Sequence, residues 1–421
     1  KLTFYTLIPL PILAYSIFII SKEINRRSTL YQQNLSKLST FTQEMFSGIR
    51  VIKAYALEKQ KQDDFTVLSR DSKDKNMSLA KVNALFGPLM ILLIGISNLV
   101  VIYVGGIMYI NGDIPDIGVI AQFILYINML TWPVASLGWI SSMVQEAEAS
   151  QKRINEFLKT EPEIQNNNPN HTPIRGEIAF NNVSFTYEDT HITALKNISF
   201  TVKKGETLAV LGKTGSGKST LLSLISRLYD VEEGSITIDG ENIKDLNLFD
   251  LRNSIGFVPQ DAFLFSDSIK NNIRFGKEDA DKDEVIAVAK KAVVHNNIIA
   301  FNKEYETVLG ERGITLSGGQ KQRVSIARAM IKDAPMLLLD DCLSAVDTET
   351  EEAILNNLLE FCRDKTTIIV SHRVSSAKNA DRIIILDDGK ILQQGTHNQL
   401  VNEPGYYKEL YLKQLSEKEL Q

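Results

Sequence analysis

Residues 82 to 112 run for 31 positions without a charged side chain, and residues 117 to 145 run for 29. Either run is long enough to cross a hydrocarbon layer of roughly 30 Å as a helix. Buried helices of water-soluble proteins average about 12 residues and usually keep one polar face. A third uncharged run occupies residues 2 to 20, so three membrane-spanning helices are expected. Pro9, Pro11, Pro88 and Pro133 fall inside these runs. They do not oppose the assignment, because neighbouring helices satisfy the carbonyls that proline frees, and they mark candidate kinks.

Charge sets the orientation. Residues 21 to 81 carry 12 Lys/Arg against 7 Asp/Glu, whereas the link from Asn111 to Asp116 carries no Lys or Arg. The positive-inside rule puts the long segment in the cytoplasm and the short link outside. The third run then returns the chain to the cytoplasm, as expected for an integral protein of a plasma or inner membrane. Residues 21 to 81 contain no proline and are rich in helix formers. They read as cytoplasmic extensions of two helices, joined by a turn at Met45 to Ala54 where Gly48 weakens the helix, with a short surface-parallel helix at the tip. The chain opens on Lys1 and goes almost at once into an apolar run with no cleavage-site pattern, which suggests an N-terminally incomplete chain.

Charged residues 146 to 159 continue the third helix, so residues 1 to 160 form the membrane domain. Residues 161 to 173, with Asn166, Asn167, Asn168 and three prolines, read as a linker. A chain of 421 residues exceeds one ordinary core, and the remainder, residues 174 to 415, is expected to be an α/β domain. Residues 178 to 187 and 193 to 202 pattern as antiparallel strands. Residues 207 to 211, 336 to 339, 366 to 370 and 383 to 386 are the short apolar runs of central parallel strands, and residues 219 to 228 of a helix. A net charge of −5 and the lack of a long basic run give no sign of a nucleic-acid partner. Two cysteines, Cys342 and Cys362, both in this half, fit a reducing compartment.

The chemistry concentrates here. Gly212, Lys213, Thr214, Gly215, Ser216, Gly217, Lys218 and Ser219 follow an expected strand and open an expected helix. This is the spacing of a phosphate-binding loop: backbone N–H groups curl around phosphate oxygens, Lys218 reaches the β/γ-phosphates and Ser219 ligates Mg²⁺. Average residue frequencies give this pattern by chance in about one or two chains of this length per hundred, and the flanks lower that figure. Thr220 follows in the first helical turn. Asp340 ends an apolar run, where a carboxylate beside the phosphates would hold Mg²⁺ or its waters. Between loop and carboxylate lies Leu316, Ser317, Gly318, Gly319, Gln320. A plain helix cap explains Ser317 but not the paired glycines.

In this order the motifs resemble those of ABC exporters whose membrane domain is fused ahead of the ATPase domain. The resemblance covers the whole chain, with residues 1 to 160 similar to helices four to six of a six-helix membrane domain. It implies ATP and Mg²⁺ as ligands, Tyr187 as the aromatic stacked on adenine, Gln260 as the glutamine linking Mg²⁺ to the membrane domain, and Asp347 as the D-loop aspartate. It also implies His372 as the switch histidine at the γ-phosphate, and Met45 to Ala54 as a coupling helix. Ser317 to Gln320 would seal the nucleotide of a second subunit. Without the family match, Tyr187 would read as a core aromatic, and His372 as a structural histidine but for its place at a strand's carboxyl end.

One residue departs from the family pattern. Asp341 stands where a glutamate usually acts as general base on the attacking water. The loss of one methylene withdraws the carboxylate by about 1.5 Å, and a misplacement near 1 Å can cost on the order of a hundredfold in rate. A slow site is expected. The favoured partner is a different half-transporter that supplies the glutamate, with a homodimer as the alternative. A nucleotide-gated regulator or channel with little hydrolysis of its own is the competing function. Asn128, Thr131 and Trp132 interrupt the third span and suit helix packing better than a substrate path. The cargo, whether drug, lipid or peptide, is not legible.

Overall fold

The computed structural model describes residues 2–310, 316–343 and 348–419. It divides into two compact units, Lys1–Glu161 and Pro162–Gln421.

The first unit is all helix: α1 (Leu2–Leu7), α2 (Pro9–Ser47), α3 (Ile49–Ala54), α4 (Glu58–Ile110) and α5 (Gly118–Lys159). The break before α2 falls at Pro9, the first helical position, where the missing N–H costs nothing. Pro88 and Pro133 sit inside unbroken helices. In α4 the apolar part has mean hydropathy 2.4 over an 18-residue window that is only 11% buried. Ile91, Leu92, Leu99 and Tyr103 point outward, an arrangement stable only in an apolar surround. Residues 118–130 of α5 form a second, shorter apolar stretch. Where the helices meet, Ser97, Val101 and Gly105 are buried on α4, and a Cβ on Gly105 would come within 3.0 Å of Ile120.

The polar halves of α2 and α4 form an antiparallel hairpin. Arg27 donates to the Ser78 carbonyl and hydroxyl, Asn34 to Asp71, and Phe41 packs on Phe65. These pairs share a midpoint near residue 52, and α3 occupies that tip. Gly48 ends α2 with φ −91° and ψ 12°, and Ala56, at φ 52°, turns the chain into α4.

The second unit carries two sheets. Strands β1 (Ile178–Tyr187), β2 (Ile192–Val202), β4 (Glu233–Ile238) and β5 (Glu241–Asn242) form an antiparallel sheet in the order β2-β1-β4-β5. The other sheet contains β3 (Thr207–Gly212), β6 (Ile255–Val258), β7 (Met336–Asp340), β8 (Thr366–Val370), β9 (Arg382–Asp387) and β10 (Lys390–Gly395). Its order is β10-β9-β3-β8-β7-β6, parallel except for β10. β3, β7 and β8 are buried along their whole length, so alternate residues serve two cores. Leu208 and Val210 face the antiparallel sheet and α6 (Lys218–Ile225). Ala209 and Leu211 face α13 (Val374–Ala377), α14 (His397–Asn402) and α15 (Tyr406–Glu419).

Between β4 and β7 the chain adds α7 (Leu248–Asn253), α8 (Ile269–Arg274), α9 (Lys282–Lys291), α10 (His295–Ile299) and α11 (Gly318–Ile331). Elements α8 to α11 share a core with α12 (Thr348–Phe361) and with one face of β6, β7 and β8. α6 stops at Ile225 and not at Leu228 as its sequence suggests, because Arg227 adopts φ 46°. Asn168 and Asn247 tie the segment before β1 to the start of α7, so the expected linker lies against the second unit. Cys342 and Cys362 are buried free thiols.

Candidate active site

β3 feeds a glycine loop that turns into α6, and the geometry of the loop requires its glycines. Gly212 has φ 154° and a Cβ there would sit 2.1 Å from the Leu386 carbonyl oxygen; Gly217 has φ 96° and a Cβ would sit 2.4 Å from that of Ala194. Neither position accepts a side chain. Within the loop, buried Lys218 donates through Nζ to the carbonyls of Gly212 and Lys213 at 2.9 and 2.6 Å. Burial pushes its ammonium pKa down, opposed by the charges of Asp341 and Asp340. Lys213 lies apart from the cleft, 3.6 Å from Asp387 and over the ring of Tyr406.

β7 delivers the acidic pair. Ser219 Oγ donates to Asp340 Oδ1 at 3.0 Å, and burial pushes the Asp340 carboxyl up. Asp341 leaves the strand at φ 42°, its N–H donating to the Val370 carbonyl at 2.9 Å. This turn aims its carboxylate at the end of β8, where His372 Nε2 lies 2.6 Å from Asp341 Oδ2. Tyr187 ends β1, shares a hydrogen bond of 3.1 Å with Thr220, and stands edge-on to Phe185 and Tyr229.

One cleft of about 290 Å³ is lined by Tyr187, Thr214, Gly215, Gly217, Lys218, Ser219, Thr220, Gln260, Asp340, Asp341 and His372. Residues from five separate stretches thus converge at the carboxyl ends of β3, β7 and β8, where ligands of open α/β sheets bind. Gly212 and Ser216 shape the loop from behind. Ile192 and Ala194 also line the cleft. The sequence reading passed over them, although the hairpin register puts Ile192 directly opposite Tyr187.

Ser317, Gly318, Gly319 and Gln320 are not among the residues lining this cleft. Ser317 caps α11 through a full capping box: its Oγ accepts from Gln320 N–H at 3.3 Å, and Gln320 Oε1 accepts from Ser317 N–H at 3.0 Å. Ser317 and Gly318 are nevertheless exposed. At the far end of α11, Arg328 donates to the carbonyls of Phe263 and Asn272 at 2.9 and 2.8 Å. It thereby ties the helix to the loop after Gln260, and burial brings its pKa to about 10. Asp347 lies outside the described residues.

The donor set suits a nucleoside triphosphate with Mg²⁺. Ser219 and Asp340 present two oxygens side by side, and among the described residues no cluster of three His, Cys, Asp or Glu side chains could cage a metal. Mg²⁺ is commonly held in this way, through one or two protein oxygens with phosphate and water completing its shell.

A glycine loop before a helix, an acidic strand end and a helical insertion, preceded in the chain by a helical unit with a long, exposed apolar helix, define a membrane-coupled nucleotide-binding protein. Comparison with known proteins makes this specific. The family model described as ABC transporter matches residues 195–344, and that described as ABC transporter transmembrane region matches residues 1–134. A probable multidrug resistance ABC transporter ATP-binding/permease protein of Bacillus subtilis is 40% identical over 98% of this chain and 71% of its own length. A multidrug resistance-like ATP-binding protein of Escherichia coli is 39% identical over 98% and 70%. The solved structure of a bacterial Atm1-family ABC exporter with ATP bound matches with a TM-score of 0.88 at 29% identity, over 98% of this chain and 73% of that one. The chain belongs to the ABC transporters, as an exporter subunit with its transmembrane region and ATPase domain in one polypeptide.

Proposed function

We propose that this subunit pairs with a different half-transporter and donates Ser317 to the partner's fast ATP site while its own site turns over slowly. The cleft that unites Lys218, the Ser219–Asp340 pair and the Asp341–His372 pair carries the nucleotide assignment. The backbone of Lys213 to Ser219 wraps the phosphates, Thr220 and Tyr187 flank the base end, and His372 meets the terminal phosphate. Ser219, Asp340 and Gln260 would hold Mg²⁺, which when bound would neutralise charge on the phosphate oxygens. Asp341 is the residue placed to take a proton from the attacking water. Its short carboxylate, engaged by His372 at 2.6 Å, supports a slow site: the base is both withdrawn and already hydrogen-bonded.

Ser317 completes the site across a dimer, which the exposure of Ser317 and Gly318 supports. Residues 1 to 160 supply three of the six spans expected per subunit, with α3 as the coupling tip and the ATPase domain in the cytoplasm. The names of the relatives point to drugs or lipid as cargo: multidrug resistance proteins and a lipid A-core flippase stand among them. The test is co-purification of the full-length subunit with candidate partners, then ATPase and vesicle-transport assays of each composition. Brisk hydrolysis by the lone protein, abolished by Asp341→Asn, sinks the slow-site reading.

A further inference from the structure

The loop that carries His372 is gripped from both sides. On one side the buried carboxylate of Glu351, on α12, accepts from the Arg373 guanidinium, from Ser375 Oγ at 2.8 Å and from Ser376 Oγ at 3.3 Å. On the other side α15 reaches in with one amide. Gln414 Nε2 donates to the His372 carbonyl at 2.8 Å, and Gln414 Oε1 accepts from the Val374 N–H at 2.8 Å. The two bonds bracket residue 373 and fix both peptide planes next to it. The imidazole itself is 45% exposed and its ring is bonded to the Asp341 carboxylate, so its direction is set by that carboxylate together with the backbone beneath it.

Gln414 is not what docks α15. That work falls to Tyr407, fully buried seven residues earlier, within the apolar cluster it shares with Leu211, Ile383 and Leu400. The first residue of the same helix, Tyr406, lies under the Lys213 ammonium at 5.8 Å from the ring centre. A single helix therefore touches the phosphate loop at its start and the His372 loop near its end.

We propose that Gln414 is a positioning residue that aims His372 at the terminal phosphate of ATP, an inference that rests on the assignment of His372 made above. Removing the amide frees the 372–374 backbone and leaves the helix anchored. A hydrogen bond to a charged group is worth roughly a tenfold or greater change in affinity, so loss of aim should weaken binding of ATP and spare ADP, which has no terminal phosphate at that place.

The test uses the full-length protein in its native dimer in lipid nanodiscs, with azido-ATP photolabelling of this chain competed by unlabelled MgATP or MgADP. Gln414→Leu, and Gln414→Glu, which sets a carboxylate against the His372 carbonyl, should weaken ATP competition by about tenfold and ADP competition by less than about twofold. His372→Ala should do the same, and His372→Ala with Gln414→Leu should be no weaker than His372→Ala alone. Unchanged ADP competition also reports a folded site. Equal weakening of both nucleotides, multiplication of the two single effects, or a wild-type Gln414→Leu beside an impaired His372→Ala overturns the positioning role. A His372→Ala protein that binds ATP as well as wild type overturns the reading of His372, and the proposal with it.

Discussion

The ATPase unit uses one local device twice, glycines opening a helix, and surrounds it differently each time. At α6 the loop is closed in: Lys218 is buried against its own carbonyls, Ser219 is bonded to Asp340, and Asp341 is bonded to His372. At α11 the tip is bare, with Ser317 and Gly318 exposed and the serine hydroxyl engaged by a 3.3 Å cap bond. Hydrogen-bonding capacity that the chain answers internally belongs to a site the chain assembles for itself. Capacity left at the surface is available to another molecule. The difference in surroundings, more than the motifs, separates the two glycine turns, and the proposed role of Ser317 at a partner's nucleotide rests on it.

The strongest way to break this contrast is at Lys218. Lys218→Met should weaken MgATP binding to this chain by about a hundredfold, as expected for loss of a charge-assisted contact. Its unfolding temperature should not fall, because the wild-type ammonium is held at a desolvation cost; photolabelling and calorimetry check the two parts. Next comes Asp341→Glu, which restores the missing methylene and should raise turnover at this chain's own site by at least about tenfold in a steady-state ATPase assay of dimers whose partner site is disabled. No gain would place the limit elsewhere. Ser317→Ala should leave labelling of its own chain unchanged while it slows ATPase of the dimer by about tenfold. A loss confined to its own chain would put the tip in cis. The smallest effect concerns pH. Burial raises the Asp340 carboxyl, so protonation competes with Mg²⁺ at a higher pH than for an ordinary carboxylate. Mg²⁺-dependent binding should decline severalfold as pH falls, and Asp340→Asn should flatten the slope.

The phosphate loop and Asp340 stand out in the sequence because each is a short spacing attached to an apolar run, and apolar runs locate the carboxyl ends of strands; His372 needs the family resemblance as well. Contacts between distant stretches were not legible. Gln414 meets Val374 across forty positions, and nothing in its neighbourhood of Lys413 and Leu415 distinguishes it from a solvated helix residue. β6 is four residues long with Gly256 in it, too short for alternation to register. The helical hairpin was readable from one weak point, Gly48, since the long flanks around it hold neither proline nor glycine. Ser317 teaches the reverse: the capping box, set against the motif reading as a dull competitor, is present in full, so the same serine both stabilises α11 and faces outward.

The 53 residues of α4 form a rod roughly 80 Å long at 1.5 Å per residue, far more than a bilayer's apolar thickness. Some 35 Å of it, by the same rise, precedes residue 82 and is braced against α2 by the Arg27 and Asn34 bonds. Such a braced rod is a lever: a tilt of about 5° about the membrane end of that segment carries α3 sideways by about 3 Å, close to a side chain's breadth. Angstrom-scale rearrangement at the tip and degree-scale rotation at the apolar end are then the same motion, measured at opposite ends.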